Sequence, residues 1–472
     1  MLRDRIVPLI IAVALFMENM DSTVIATSLP AIAADIGTNP LALKLAVTSY
    51  LLSLAIFIPA SGWTADRFGA RTVFRAAIGV FVIGSIGCAL SSSLTDFVIA
   101  RIVQGMGGAM MTPVGRMVVV RTISKRELVG AMAWVTTPAL IGPVLGPPVG
   151  GFITTYATWH WIFLINVPIG LLGIVLATRY IPDVRAEEHE RFDVVGMILA
   201  GLGIGGMAFG LSILGLNFLP WYVVVALVIG GACFFAAYLA HARRTENPAL
   251  DLTLFRLPTF FASVVGGFIF RLGLGALPFL LPLMLQIGFG MTPFQSGMIT
   301  FATALGAMGM KWAVAFILHR FGFRNILVVN SVISSAFLAI CAAFTATTPI
   351  ALMLILLFVG GFFRSLQFTS INTIAYAEVD PRRIGRATAL VSVAQQLAVS
   401  SGVALGALSV EFTVQFRGGG PLQAADFPPA FLAVAAISAL SALIFARLAP
   451  DAGAEMADRL PTPAEPSDQR AG

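Results

Sequence analysis

The hydrophobic pattern of the chain is one of long unbroken apolar runs, each about the length of a membrane-crossing helix. They fall at about 6–30, 43–62, 73–93, 97–119, 130–155, 161–181, 194–215, 219–241, 259–288, 296–318, 325–346, 349–375, 385–410 and 426–448. Fourteen helical spans are expected, which makes this an all-α polytopic membrane protein. The run 259–288 is long enough to tilt, or to break at Pro278 or Pro282. Ala31-Ile32-Ala33 resembles a leader cleavage site, but the first run is too long for a cleavable leader and is interrupted by Glu18 and Asp21.

Composition agrees with the pattern. Of 472 residues, 58% are hydrophobic and 11% charged, against about 25% charged in ordinary soluble domains. So few charges cannot cover a soluble protein of this size. Cys88, Cys233 and Cys341 each lie inside an apolar run, without the spacing of a disulfide framework or a metal site. The four histidines fall in loops or at span ends, and no metal-binding cluster is expected.

The net charge of +6 could suggest a nucleic-acid partner, but topology explains it better. Alternate loops carry Arg67, Arg71 and Arg75; Arg116, Arg121, Lys125 and Arg126; and Arg179, Arg185 and Arg191. Further along they carry Arg243, Arg244 and Arg256; Arg320 and Arg324; and Arg382, Arg383 and Arg386. The opposite loops hold only Lys44 and Arg417. By the positive-inside rule both termini are cytoplasmic; the expected location is the cell's inner membrane. The tail from 449, rich in Pro, Ala, Asp and Glu, is expected to be disordered.

Two loops repeat one another. Asp66-Arg67-Phe68-Gly69-Ala70-Arg71 follows the second run, and His319-Arg320-Phe321-Gly322-Phe323-Arg324 follows the tenth. Internal symmetry of this kind marks secondary transporters, with the site near the midplane between the halves. The repeated loop, which opens at Gly62, resembles the first signature of the major facilitator superfamily. Further matches are Arg101-Ile-Val-Gln104-Gly105 in the fourth run and Gly142-Pro143-Val-Leu-Gly146-Pro147-Pro148-Val-Gly150-Gly151 in the fifth. Trp159 to Gly170 and Asp21 to Pro30 complete the set. The chain resembles the fourteen-helix drug/proton antiporter branch of that family, and most of all its MdtD-type exporters. The resemblance implies two six-helix bundles, 1–182 and 246–448, with a linker and an inserted helix pair at 183–245 and a tail at 449–472.

The residues also have physical readings of their own. Gly69 permits positive φ, Asp66 can cap the following helix, and Arg67 and Arg71 can bind headgroups or pair across a bundle interface. The loop residues Gly62, Asp66, Arg67, Gly69, Arg71, Arg320, Gly322 and Arg324 are read as a cytoplasmic gate, with a purely topogenic basic loop as the alternative. The run Gly142, Pro143, Gly146, Pro147, Gly150 and Gly151 offers a small-residue packing face and a bent helix; the family resemblance ties it to antiport.

Charge at membrane depth is the best chemical signal. More than three residues from either end of a run, the carboxylates are Glu18 and Asp21, on one helix face, and the cations are Arg101, Arg271, Lys311 and Arg364. At 1.5 Å per residue, Asp21, Arg101 and Arg271 all lie roughly 20–22 Å from the inner face, a shared depth that allows a pair or a triad without requiring contact. Asp21, with Glu18 beside it and Arg101 opposite, is read as the proton-coupling group: desolvation favours a neutral acid, and a nearby cation favours its carboxylate. A fixed ion pair that only orders the bundle is the competing reading. Arg271, Gln286 and Arg364 are placed on the substrate path.

The chain has no Walker-type loop, so a proton gradient is the expected energy source, with no cofactor, no catalytic residues and no bound metal. Expected partners are a small-molecule substrate, protons and the lipid bilayer, around a monomer. Proton-coupled export of small amphipathic compounds leads. The arginines of the second half keep export of an anionic metabolite or metal–carboxylate chelate open, and a non-transporting membrane sensor or partner subunit is the third reading.

Overall fold

The computed structural model describes residues 2–123, 127–182, 193–214, 216, 220–245 and 248–457. Lys125, Arg126, Arg185, Arg191 and the end of the tail lie outside them. Among the described residues there are helices and no strands. The long helices of the first half are α1 (Leu2–Val24), α2 (Lys44–Phe57), α3 (Ala70–Ala89), α4 (Leu94–Thr122), α5 (Leu128–Tyr156) and α6 (Asn166–Tyr180). Next come α7 (Val194–Ile213) and α8 (Trp221–Ala242). The second half comprises α9 (Gly267–Leu283), α10 (Pro293–Phe321), α11 (Phe323–Ile340), α12 (Ile350–Ile374), α13 (Ile384–Phe416) and α14 (Pro428–Ala439).

Thirteen helical spans among the described residues are long and apolar enough to cross a membrane. Outside those thirteen is α5, a 29-residue helix interrupted by Pro138, Pro143, Pro147 and Pro148. The long run 259–288 is one continuous helical span, Pro258–Gly288, rather than a broken one. Its backbone loosens instead into π-helical turns at Ala262–Gly266 and Met284–Gly288, on either side of Pro278 and Pro282.

The two halves pack alike. In the first, α1 lies on α5, α3 on α4, α2 on α4, and α3 on α6; in the second, α9 lies on α13, α11 on α12, α10 on α12, and α11 on α14. Two seams join the halves, α2 against α13 and α5 against α10, which the same two-fold relation exchanges. The hairpin α7–α8 lies outside this symmetry and covers the α2/α13 seam.

The arginine-rich end is the inner end under the positive-inside rule. At the opposite end both halves share one apolar core, including Leu29, Leu41, Phe97, Phe163, Phe279, Leu280, Val410 and Phe431. At the inner end each half keeps its own core, one around Phe74 and Phe81, the other around Phe323 and Phe445. The halves are therefore joined at the outer end.

Two charge placements differ from expectation. Lys44 is not a loop residue: it opens α2 and is fully buried. The tail does not leave the fold at 449, since Gly453 lies against Phe323 and His319 Nδ1 meets the Ala457 carbonyl at 2.9 Å. Small residues at 449–457 let the chain turn back and cover an apolar ring that would otherwise be bare.

Candidate functional site

The repeated loops take the same backbone form in each half. Gly69 has φ 90° and Gly322 φ 77°, each ending one helix and starting the next without a linker. A Cβ in this region is strained, which explains the glycine in both copies. Asp66 does not cap α3, as its sequence position suggested. It pairs with Arg121 of α4 at 2.7 Å, while Gly69 occupies the cap position with no side-chain bond. Arg67 lies over the Trp63 ring at 5.4 Å, Arg71 has a buried Nε without a partner, and Arg324 Nη2 donates to the Ala446 carbonyl at 3.1 Å. Arg320 is exposed, and Gly62 lies in ordinary contact range of Met117.

At membrane depth the first half holds a closed polar network. Asp21 of α1 is fully buried and Arg101 of α4 nearly so. Arg101 Nη1 donates to Asp21 Oδ2 at 2.8 Å and to Gln104 Oε1 at 2.6 Å. Gln104 Nε2 donates to Asp21 Oδ1 at 2.8 Å, and Asn166 Nδ2 donates to the same oxygen at 2.9 Å. Ser85 Oγ accepts from both amides, and the Arg101 guanidinium lies 4.1 Å from the centre of the Tyr50 ring. Donors on α4 and at the start of α6 thus converge on one carboxylate of α1.

Close helix approach makes this reach possible. A Cβ on Gly84 of α3 would meet the Gln104 backbone at 2.5 Å, and one on Gly105 would meet the Ser53 side chain of α2 at 2.6 Å. Without side chains there, α4 sits near enough to both neighbours to aim Arg101 and Gln104 inward.

The glycines of α5 hold α1 in the same way. Gly142 faces the Phe16 carbonyl, Gly146 faces Thr23, and Gly150 faces Val24 and Thr27, a stripe with a four-residue repeat along the back of the helix that carries Glu18 and Asp21. Thr27 Oγ1 also donates to the Pro147 carbonyl at 3.4 Å. Gly151 faces the other way, onto Pro293 and Phe294 of α10, and Gly297 answers it against Pro147. Pro143 lies within the same helix. Substituting Gly146→Leu therefore has no space to enter. It is expected to cost at least the 1–3 kcal/mol of ordinary overpacking, read as a lower thermal midpoint of the purified protein and lost transport.

Glu18, one turn before Asp21, faces elsewhere. It accepts from Thr112 Oγ1 at 2.5 Å and borders a cavity of about 260 Å³ between the halves. Asn19, Ser22, Tyr50 and Arg101 line that cavity from the first half, and Phe279, Gln395 and Gln396 from the second.

Of the pair or triad that shared depth allowed, Asp21 and Arg101 form the pair and Arg271 does not join it. Arg271 is buried, but its Nη2 donates to Asn372 at 2.7 Å, its guanidinium lies 5.4 Å from the Phe368 ring, and its Nε has no partner. Equal depth is not equal azimuth, and a helical side chain leans toward its own N-terminus, here the inner end. Arg364 is buried with Nε on the Gly360 carbonyl at 3.3 Å, and neither arginine borders the cavity. Gln286 instead ties the halves near the outer end, donating to the Thr27 carbonyl at 3.0 Å. Lys311 is exposed.

Sequence reasoning missed Gln104, Asn166 and Ser85 as members of the network, although a buried amide within an apolar run is a signal of the same kind as a charge. It also missed the pair Lys44–Glu411 at 3.0 Å, which joins α2 to α13.

The model of the Major Facilitator Superfamily matches residues 11–331 and 263–468. The chain is 38% identical over 452 residues to "Putative multidrug resistance protein MdtD" of Salmonella heidelberg (strain SL476), covering 94% of each, and equally to that of Salmonella typhimurium (strain LT2). Among solved structures it is similar to a D-xylose–proton symporter, with TM-score 0.67, 16% identity, and 95% and 98% of the two chains covered. It is also similar to a bacterial homologue of the human lysosomal transporter Spinster in an inward-facing, unoccupied conformation. There the TM-score is 0.65 at 15% identity, with 98% and 99% covered. At such identities the two structures speak to the fold alone. With its repeated loops, its two matched segments and relatives along nearly its full length, this chain belongs to the major facilitator superfamily.

Proposed function

We infer that this chain is a secondary multidrug transporter, not an enzyme, which exports small amphipathic compounds across the inner membrane in exchange for protons. Its relatives carry a multidrug-resistance name, and proton coupling is typical of the family. The observation that carries the coupling is the carboxylate of Asp21, held away from solvent by Arg101, Gln104 and Asn166, one helical turn from Glu18 on the cavity wall. An acid at such depth is costly and is a functional group by default. Alternating access exposes that helix turn first to one side and then to the other, and the proton moves on and off as the donor set around Asp21 opens and closes.

The bundles 1–182 and 246–448 rock about the cavity, fourteen helices cross the membrane with both termini cytoplasmic, and the monomer is the working unit. The proton gradient supplies the energy, without a cofactor. The loops at Gly69 and Gly322 serve as the cytoplasmic gate.

A second reading has its own observation. Arg271 and Arg364 are buried in the second half, and among the described residues neither reaches a carboxylate. A carboxylate metabolite or a metal–carboxylate chelate would suit them, with these arginines and Gln286 along its path. Reconstituted protein in liposomes with an imposed pH gradient and a trapped pH dye separates the readings. Challenged in turn with cationic, neutral and anionic amphiphiles, it is expected to release protons on addition of cationic or neutral compounds. Response to anions alone selects the second reading, and silence to all three classes selects a non-transporting sensor.

A further inference from the structure

The hairpin α7–α8 has no counterpart in the two-fold plan, yet its ends are fastened to different halves of the molecule. At the outer end, the buried ammonium of Lys44 on α2 meets both carboxylate oxygens of Glu411 on α13, at 3.0 and 3.1 Å. Its third acceptor is the carbonyl of Leu214, at 3.2 Å, which caps the C-terminal end of α7. An ammonium has three N–H donors, so the set is complete. The Leu214 carbonyl is among those a helix leaves without an internal partner, at the negative end of its dipole. Leu45, Val98, Ile213 and Val224 pack beside it and bind the outer end of the hairpin to the first half.

At the inner end the hairpin's hydrogen bonds go to the segment that leads into the second half, within an apolar core that also takes in Ala55 of α2. Tyr238 Oη donates to the Leu250 carbonyl at 2.6 Å and accepts from the Leu250 N–H at 2.8 Å. The neighbouring Asp251 accepts from Arg383 Nη2 at 2.7 Å, at the base of α13. Burial pushes the Asp251 carboxyl up, but hydrogen bonds from Thr253 and Arg383 outweigh it and hold the group below the usual carboxylate range, so this joint persists at neutral pH. Ala200 and Tyr238 share an apolar core with Leu390 and Val391 of α13. Between the ends α7 and α8 approach closely along Gly203 and Gly231.

We propose that this hairpin is a diagonal strap that locks the outward-closed state, its Leu214 carbonyl positioning Lys44 to latch onto Glu411 across the seam between the bundles. Outward opening must pull α13 from α2 at this level and break the latch. With the hairpin in place, Lys44 is fully satisfied when the gate is shut. With the hairpin displaced, one buried N–H loses its acceptor, and the closed state loses the stability that acceptor provided. The strap thereby ties the outer gate to the inner base of the second half.

The proposal rests on the two-state transport reading. Its test reports conformation directly. Val403 is a buried member of the shared outer core and borders the central cavity. In a background with Cys88, Cys233 and Cys341 replaced by serine, Val403→Cys reacts with a membrane-impermeant maleimide supplied outside only when the outer gate opens. Glu411→Gln, the wedge Val224→Trp and the milder pair Ile213→Ala with Val224→Ala are each expected to raise the labelling rate about five- to tenfold. A hairpin variant combined with Glu411→Gln is expected to add nothing further, because both act on one latch. A rise with Glu411→Gln but not with either hairpin variant overturns the strap. Parent-rate labelling in every variant overturns the latch as well, and if the parent also shows no proton-linked flux, the transport reading falls with it.

Discussion

Asp21→Asn is expected to reach the membrane folded and to lose pH-driven transport to the level of protein-free liposomes. Asparagine matches the shape of the side chain, so packing around α1 is kept. It cannot take up and release a proton in this range, and one of its two terminal atoms becomes a donor. Asp21 Oδ1 accepts from two amide donors, Gln104 Nε2 and Asn166 Nδ2, while Oδ2 accepts from Arg101. With its amide nitrogen toward Gln104 and Asn166, the new side chain sets donor against donor. With its oxygen there, it presents that nitrogen to Arg101. Either way the network must re-sort, and a modest fall in thermal midpoint is expected. The deciding measurement is the split between two fluxes. Exchange of labelled for unlabelled substrate at equal pH needs no net proton movement and should persist, whereas accumulation against a gradient should vanish. Retained accumulation would exclude Asp21 as the proton carrier, and loss of both fluxes would reduce it to an organiser of the bundle.

Span length and relative depth were legible in the sequence because the bilayer imposes them one residue at a time. An apolar stretch of a span's length stands out whatever its neighbours are, and arginine spacing orients it. The x-Arg-Phe-Gly-x-Arg loops were legible for a similar reason: a positive-φ glycine between two helices leaves a local signature, and Gly69 and Gly322 both show it. Azimuth was not legible. Arg271 shares a depth with Asp21 and Arg101 but turns to Asn372 and Phe368 in its own half. Counting charge as a loop feature set Lys44 among the loop cations although it falls at the start of the second run, and the thirteenth run was ended at 410, one residue before Glu411. Each of the two looks like a terminus when read alone. Only the fold, which brings together positions 367 residues apart, shows that they neutralise each other inside. The order of weight between the two acids of α1 changes as well. Asp21 has both oxygens engaged, whereas Glu18 accepts from Thr112 and borders the cavity, so Glu18 is the acid of this pair that faces open space.

The same network sets the largest stability effect expected in the molecule. Arg101→Met removes the cation from beside a fully buried carboxylate and leaves Asp21 with two amide donors and no counter-charge. Breaking a buried ion pair from one side costs about 3–5 kcal/mol, mostly from the charge left behind. The Gln104 oxygen, which accepts from Arg101 Nη1, loses that donor too, and the Tyr50 ring loses the guanidinium packed over it. A sharp fall in thermal midpoint and in yield from the membrane is therefore expected, with transport lost. Combining the change with Asp21→Asn removes the orphaned charge, so the double variant should be more stable than Arg101→Met alone, although it still does not transport. This coupling distinguishes an electrostatic partnership from simple packing. If Arg101 served only to fill space, the two substitutions would add, and neutralising Asp21 would bring no recovery. Arg101→Lys provides the third point. A lysine can place one charge near Asp21 but lacks the Nε that donates to the Ala46 carbonyl and the planar cation that lies on the Tyr50 ring. It should recover stability in part and transport hardly at all, because the switch depends on a carboxylate, an amide and a planar cation that rearrange together.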